Sequence, residues 1–269
     1  MWRTLQPMID PNYQQASAAQ RQFELPANTF AGKNIAITGA TGGLGTALSK
    51  SLAAAGATVV LVSRKEKKLE KLYDALLANG APTPAIVPIE QDKANEAAYA
   101  ELAELIYGEM GGLDALIHTA ADLGTPTPMT AIAHAEWMRV MSVNLTSARL
   151  LSLAMLPLLK ESPLGSMVFL LDNKPGAYWG GYGISKQATQ AMMHMLADEN
   201  DQPADGGDGF PRLAINGFDP GPMRTPLRRR AFPGEQENES PLPEQALGTL
   251  NWLLSRQDRA VNGKALHNG

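Results

Sequence analysis

The sequence predicts a single α/β domain with a doubly wound parallel sheet of the Rossmann-like kind. Near-continuous apolar strands alternate with amphipathic helices from residue 33 onward, which indicates a parallel sheet covered on both faces. The first of these strands breaks into glycines and then resumes as a helix. A length of 269 residues is sufficient for one such domain with a full core. Ligands are expected beyond the carboxyl ends of the strands.

The predicted elements follow one another in order. Strands are predicted at 34–38, 58–63, 84–89, 113–119, 165–171 and 213–218, and helices at 43–55, 66–79, 94–110, 134–160 and 182–199. A last helix, followed by a short strand at 264–267, completes the domain, which spans residues 32–269. Residues 1–31 lack a sustained period and are expected to be an arm packed on the surface or a disordered leader. A polar loop is expected at 201–211, and a possible lid over the ligand crevice at 222–243.

Composition narrows the class of protein. A net charge of −4 without a long basic run argues against nucleic acid and favours small molecules as partners. The absence of Cys excludes disulfides and thiolate chemistry, and the four His lack metal-ligand spacing, so no metal is predicted. No run approaches the ~20 apolar residues that span a bilayer; the nearest, Leu150 to Leu159, contains Ser152 and Pro157. A soluble, cytoplasmic protein without a secretory signal is therefore expected.

The glycine-rich break is a candidate phosphate site. Glycines let the chain turn sharply and let backbone N–H groups approach a phosphate, which the positive end of the next helix also attracts. Surface turns use the same residues, but the strand before this turn and the apolar helical stripe after it favour nucleotide binding. The residues expected to bind a cofactor here are Gly39, Thr41, Gly43, Leu44 and Gly45.

The end of the second strand favours NADP over NAD as that cofactor. An acidic residue there would bind the adenosine ribose and repel a 2′-phosphate, and this chain has Ser63, Arg64 and Lys65 instead. Ser63 and Arg64 can contact a phosphate, Arg64 through its fixed fork of donors. The alternative is that Arg64 and Lys65 only begin the solvated face of the following helix.

A second informative stretch contains a tyrosine and a lysine four residues apart. Tyr182 and Lys186 lie on one face near the start of a helix. A phenol ionises near ~10, and a nearby ammonium favours the phenolate. The pair is therefore a candidate proton shuttle, although a surface contact is the commoner reason for such a spacing.

These motifs resemble those of the short-chain dehydrogenase/reductase family over residues 32–267. Thr38-Gly39-x-x-x-Gly43-x-Gly45 is similar to the family's cofactor turn and Tyr182-x-x-x-Lys186 to its catalytic pair. The resemblance implies that Tyr182 exchanges a proton with the substrate oxygen, while Lys186 holds the nicotinamide ribose and lowers the pKa of the phenol. It implies that Asn144 holds a relay water and that Pro220, Gly221 and Thr225 belong to a cofactor loop. The cofactor would carry the hydride.

The chain departs from the family pattern at the end of the strand predicted at 165–171. The family has a Ser there, about 12 residues before the Tyr, that polarises the substrate carbonyl; here Asp172 and Asn173 stand nearest to that position. An ionised Asp172 only accepts hydrogen bonds and would raise the pKa of Tyr182, whereas the amide of Asn173 could donate. Ser166 lies a full strand length away and is no substitute.

A second departure is His118-Thr119-Ala120-Ala121, where the family usually has Asn-Asn-Ala-Gly. Ala120 is expected to contact the cofactor, and Ala121 adds a methyl group where the backbone should approach it closely. His118 could have a functional role, but a satisfied structural histidine is favoured. Arg228-Arg229-Arg230 could meet an anionic substrate, with a solvated loop as the alternative.

Three functions remain open from the sequence. The leading one is an NADP-dependent oxidoreductase that acts on a carbonyl or alcohol. The second is a catalytically impaired NADP(H)-binding sensor or assembly protein, and the third is a Tyr–Lys enzyme of another type, such as a double-bond reductase, dehydratase or epimerase. The apolar helix at 134–160 and the next helix are expected to join a homo-oligomer, a dimer or tetramer.

Overall fold

The computed structural model describes residues 13–202, 209–236, 238–258 and 260–268. Within these ranges the strands are β1 (Tyr13–Gln15), β2 (Asn34–Thr38), β3 (Thr58–Ser63), β4 (Ala85–Pro88), β5 (Ala115–His118), β6 (Gly165–Leu170), β7 (Leu213–Asp219) and β8 (Ala265–His267). They form one sheet in the order β1-β8-β7-β6-β5-β2-β3-β4, and every neighbouring pair is parallel.

At most of their ends, the helices agree with the predicted positions to within one or two residues. They are α1 (Ala18–Arg21), α2 (Gly43–Ala54), α3 (Glu66–Ala78), α4 (Glu96–Met110), α5 (His134–Met141), α6 (Ser147–Glu161), α7 (Gly180–Glu199), α8 (Pro226–Ala231) and α9 (Leu247–Leu254). The short helices α1 and α8 were not predicted, because neither is long enough to show an apolar period.

Two apolar cores lie on opposite faces of the sheet. One contains buried side chains of α2, α3 and α9, and the other those of α4, α6 and α7. The central strands contribute to both cores because successive side chains point to opposite faces, which is why these strands are apolar throughout. The predicted doubly wound α/β fold is therefore confirmed.

The chain reverses its direction of winding at the centre of the sheet. From β2 it proceeds outward to β3 and β4, then returns to the other side of β2 as β5. The connections leaving β2 and β5 therefore diverge at their carboxyl ends and leave a crevice between them, as expected at such a switch point.

The predicted continuous helix at 134–160 is interrupted at its centre. A π-helical turn, Ser142–Thr146, separates α5 from α6. No proline or glycine interrupts the sequence at this turn, so the turn was not predicted. Such turns are frequent at functional sites, and this one contains Asn144.

Within the segment His134–Glu161, an 18-residue stretch has a mean hydropathy of 1.3, so the segment is long and apolar enough to cross a membrane by length and composition. The segment is not a continuous apolar run, because Arg149, Ser152 and Pro157 interrupt it. The core helix of a soluble protein passes the same test, and α6 buries Leu151, Met155 and Leu159 against the second core.

The N-terminal arm joins the sheet where the structure describes it. Strand β1 pairs in parallel with β8, and the ring of Tyr13 stacks on that of His267 with centroids 4.7 Å apart. Ser17 caps the following helix α1 by accepting a hydrogen bond from the Gln20 backbone. Residues 1–12, and 203–208 of the predicted polar loop, lie outside the described residues.

Candidate active site

An open crevice with a volume of about 410 Å³ lies at the carboxyl ends of the strands. It brings together residues that are up to 193 positions apart in the sequence, between Gly39 and Phe232. The predicted cofactor residues that line it are Gly39, Thr41, Gly43, Leu44, Gly45, Ser63, Arg64, Ala120, Tyr182, Lys186, Pro220, Gly221 and Thr225.

The glycine turn at the centre of the crevice depends on close backbone contacts. Gly39 has φ +64°, and a Cβ there would lie 2.7 Å from the Cα of Ala120. A Cβ on Gly45 would lie 2.3 Å from the carbonyl oxygen of Gly39. Only glycine fits either position without moving the backbone. The start of α2 is thereby held under the crevice, where its free N–H groups can meet a phosphate.

Hydroxyl and basic side chains line one end of the crevice. Thr41 Oγ1 and Ser63 Oγ are 2.7 Å apart and hydrogen-bonded, which joins the glycine turn to the end of β3. Arg64 lines the crevice with Lys65 and Lys68. These hydroxyl and basic side chains suit the binding of the 2′-phosphate of a dinucleotide. Gln91 and Asp92, which follow β4, also line the crevice and were not singled out from the sequence.

Tyr182 lies at the other end and is bound to Asp172. Its hydroxyl donates a hydrogen bond of 2.8 Å to Asp172 Oδ2. Burial raises the pKa of Tyr182 well above 10.0, and the charge of Asp172 and its hydrogen bond raise it further. The pKa of Tyr182 is therefore raised, not lowered as the resemblance implies for a phenol beside Lys186, and Asp172 acts in the expected direction.

Lys186 lies beneath Tyr182, buried against the sheet. Its Nζ donates a hydrogen bond of 2.7 Å to the carbonyl oxygen of Leu170 and lies 5.8 Å from the centroid of the Tyr182 ring. Burial lowers the pKa of Lys186 from 10.5 to about 8, although Asp172 and Asp219 act in the opposite direction. The amine can thus exchange its proton near neutral pH.

Of the two residues expected at the missing serine, Asp172 faces the crevice and Asn173 does not. Asn173 is exposed, and its Oδ1 accepts a hydrogen bond of 3.1 Å from Gln187. Its backbone N–H donates to Asp219 Oδ2 at 3.2 Å. The sequence left open that the amide of Asn173 donates beside Tyr182; in the structure its side chain contacts Gln187 and does not line the crevice.

Asp219 is a site residue that the sequence analysis missed. It is the last residue of β7, lines the crevice and accepts a hydrogen bond of 2.5 Å from the hydroxyl of Tyr13. It also accepts a bond of 2.9 Å from the backbone N–H of Gly221. Its position at the carboxyl end of a strand, before Pro220-Gly221, could have indicated it. Tyr13 carried no such signal, because the arm lies outside the alternating pattern.

Asn144 lies behind the crevice with its side chain fully hydrogen-bonded. Its Nδ2 donates to the Asp122 carbonyl and to Ser185 Oγ, both at 2.9 Å, and its Oδ1 accepts from the Asp122 N–H at 2.7 Å. A cavity of about 10 Å³, the size of one water, is lined by Asn144, Lys186 and Thr189 among others. Asn144 therefore orders the loop after β5 and borders a polar cavity next to Lys186.

His118 is a structural residue. Its Nε2 is 2.9 Å from Ser152 Oγ, and its ring stacks on Phe169 with centroids 4.6 Å apart. Burial, followed by the charge of Lys186, lowers its pKa to about 3, so the ring is neutral. Ser166 is buried at the start of β6, as expected, far from Tyr182.

Helix α8 covers the outer side of the crevice with aromatic and basic side chains. Arg228 pairs with Glu235, with its Nη2 2.7 Å from Oε1, and Arg230 Nη2 donates 2.9 Å to the Gly124 carbonyl. The rings of Trp179 and Phe232 lie 5.8 Å apart. In the described part of the chain, no group of three His, Cys, Asp or Glu side chains could hold a metal ion.

The lowered pKa of Lys186 makes the stability of the fold depend on pH. Above about 8 the folded chain has released a proton that the unfolded chain keeps until 10.5. Lys186 should therefore contribute a rise in the free energy of unfolding with pH in this window, of about 1.4 kcal/mol per pH unit, and this contribution is lost as the pH falls from 10.5 to 8. We expect Lys186→Met to remove the rise, measured by urea denaturation across the window. Lys160→Met, on an exposed residue, is the control; equal slopes for Lys186→Met and the native chain would contradict the assignment.

Comparison with known proteins identifies the family. The family model for short chain dehydrogenases matches residues 33–236. The uncharacterized oxidoreductase YciK of Escherichia coli K12 is 33% identical over 232 residues, which cover 85% of this chain and 88% of YciK. The crystal structure of E. coli YciK has a TM-score of 0.86 at 30% identity, covering 92% of this chain and 99% of that one.

Two further crystal structures contain a nucleotide. A Shigella flexneri 2a protein described as a short chain dehydrogenase, complexed with NADP, has a TM-score of 0.85 at 30% identity and covers 90% of this chain and 99% of its own. One from E. coli CFT073, complexed with NADPH, has a TM-score of 0.84 at 31% identity with the same coverage. The glycine turn, the Tyr182 and Lys186 pair and these matches agree: the chain belongs to the short-chain dehydrogenase/reductase family.

Proposed function

We propose that the protein is an NADP-dependent oxidoreductase that transfers hydride between the nicotinamide and a carbonyl or alcohol substrate. The observation that carries the proposal is the crevice itself, in which the hydroxyl of Tyr182 and the buried amine of Lys186 share a space with the glycine turn. A proton donor and a dinucleotide cradle on one crevice are what hydride transfer to a carbonyl requires.

The choice of NADP is supported by the residues around the end of β3. Arg64 and Ser63 can bind a 2′-phosphate, and Lys65 and Lys68 add positive charge to the same part of the crevice. The NADP and NADPH complexes of the Shigella flexneri and E. coli CFT073 proteins lend further support. Gly39, Gly43, Leu44 and Gly45 would hold the phosphates, and Thr41, Ala120, Pro220, Gly221 and Thr225 would complete the cofactor site.

The proton in this reaction would come from Tyr182. The bound cofactor supplies the hydride, which adds to the substrate carbon while the electron pair of the C=O bond moves onto oxygen. Tyr182 then transfers its hydroxyl proton to that oxygen and leaves a phenolate. Because burial and Asp172 raise its pKa, Tyr182 holds its proton at neutral pH, which is the form needed for reduction.

Lys186 and Asn144 would restore that proton. A pKa of about 8 allows the Lys186 amine to give a proton toward the phenolate and regain it from solvent near neutral pH. The small cavity between Lys186, Asn144 and Thr189 is large enough for one relay water. Lys186 would also hold the nicotinamide ribose.

One observation favours a second candidate, a catalytically impaired NADP(H)-binding sensor or assembly protein. The hydroxyl of Tyr182 is engaged with Asp172, and an ionised carboxylate cannot donate to a substrate carbonyl. In that case the crevice would bind NADPH without turning over a substrate.

Replacing Tyr182 by Phe distinguishes the two candidates. The substitution removes the proton donor and keeps the ring, so we expect turnover to fall by roughly 10²-fold or more while NADPH affinity is retained. NADPH absorbance with a panel of aldehydes, ketones and quinones measures the rate, and calorimetry the affinity. Tyr107→Phe, on an exposed tyrosine of α4, is the matched control. NADPH binding without any Tyr182-dependent turnover would support the sensor instead.

Replacing Arg64 by Ala tests the choice of cofactor. The loss of one charge-assisted hydrogen bond, worth about 1.5–3 kcal/mol, should weaken NADPH binding by roughly 10- to 100-fold and leave NADH binding nearly unchanged. Lys67→Ala, on a neighbouring residue outside the crevice, is the control and should change neither. Equal loss for both nucleotides would show that Arg64 does not bind the 2′-phosphate.

We further propose a cytoplasmic homo-oligomer joined through α6 and neighbouring helices. The support is a set of exposed apolar side chains on α4, α6 and α7, namely Leu105, Leu153 and Met195. Light scattering should give the mass of a dimer or tetramer at micromolar concentration, and Leu153→Glu with Met195→Glu should shift it toward the monomer. A monomeric native protein would contradict this proposal.

A further inference from the structure

The carboxylate of Asp172 leaves the crevice without the hydroxyl donor that the family resemblance places beside Tyr182. Asp172 Oδ2 accepts from the Tyr182 hydroxyl at 2.8 Å, and Oδ1 lies 2.8 Å from Lys174 Nζ. Both oxygens thus act as acceptors, and an ionised carboxylate has no proton to donate. If the chain reduces a carbonyl, another group must polarise the substrate oxygen.

Lys174 is a donor that the same carboxylate holds beside Tyr182. Its ammonium and the Tyr182 hydroxyl are bound to the two oxygens of one carboxylate, so they stand side by side at the crevice, which both residues line. The side chain of Lys174 is 30% exposed. Asp172 occupies one of its three N–H donors, and two remain for a ligand.

The position of Lys174 is built into the backbone. Its carbonyl oxygen packs against the first turn of α7, where a Cβ on Gly183 would lie only 2.4 Å away. Its Nζ lies 5.6 Å from the centroid of the Trp179 ring, within range of a cation–π interaction. The absence of a side chain at Gly183 therefore lets the Asp172–Lys174 segment lie directly against the helix that carries Tyr182.

The other cations that line this end of the crevice are engaged elsewhere. Lys186 donates to the Leu170 carbonyl beneath the Tyr182 ring, Arg139 pairs with Asp122, and Arg228 pairs with Glu235. Arg230 donates to the Gly124 carbonyl. Lys174 is the cation paired with the carboxylate that also holds the catalytic hydroxyl.

We propose that Lys174, held by Asp172, donates the hydrogen bond that polarises the substrate oxygen; this rests on the proposed oxidoreductase function. As hydride adds to the carbonyl carbon, the negative charge that develops on oxygen is stabilised by an N–H of Lys174. The proton that completes the alcohol comes from Tyr182, and Lys174 keeps its own. A charged donor stabilises such an oxygen more strongly than a neutral hydroxyl does.

A set of variants tests this role by rescue. With the best carbonyl compound of the panel, Lys174→Met should lower kcat/KM by roughly 10²- to 10³-fold, while NADPH affinity changes by less than about twofold. Adding Asp172→Ser to Lys174→Met restores a neutral donor and should recover at least about tenfold of the loss. Lys71→Met, on an exposed residue of α3, should have no effect. An unchanged kcat/KM for Lys174→Met, or no recovery in the double variant, would overturn the proposal.

A binding measurement tests the same site without turnover. We expect p-nitrophenolate, a coloured oxyanion, to bind beside Tyr182. The apparent pKa of the nitrophenol should fall on binding, and Lys174→Met should abolish that fall. Lys174→Arg should retain it, because the cation is kept. Absence of the shift in the native protein would contradict the inference, whatever the activity. Conversely, the protein could show a Lys174-dependent fall in the pKa of the nitrophenol but no turnover. That result would support the oxyanion site and contradict the proposed reaction.

Discussion

The site depends on one carboxylate shared by two donors. Asp172 lines the crevice with its side chain 24% exposed, and its two oxygens are paired with the Tyr182 hydroxyl and the Lys174 ammonium. This arrangement fixes the phenol, keeps its proton in place and brings a cation next to it. The remaining features of the site serve to bring these three side chains to the glycine turn.

The parallel sheet accomplishes this because all of its strands end on the same side. Asp172 follows β6, Asp219 ends β7, and Ser63 ends β3, so residues that are distant in sequence meet at one edge. The close contact of Gly45 with the Gly39 carbonyl holds α2 at that edge as well. Function in this chain therefore depends on the register of strands as much as on the identity of side chains.

The sequence predicted what local patterns encode. The apolar periods gave the strands and helices, and the four-residue spacing was sufficient to pair Tyr182 with Lys186 on one helix face. It could not predict the bond between Tyr13 and Asp219, which joins residues 206 positions apart. The amide of Asn173 has suitable chemistry for a donor, yet its side chain contacts Gln187, a contact that only the folded chain reveals.

The exchange of a serine for an aspartate has a consequence that reaches beyond one side chain. A hydroxyl can serve both as donor and acceptor, whereas a carboxylate near a buried phenol withholds a proton from the substrate and raises the pKa of that phenol. Such a change is compatible with reduction if another donor of a hydrogen bond enters at the same time. Lys174 stands two residues away, held against α7 at Gly183, so the compensating charge is supplied by the same short segment.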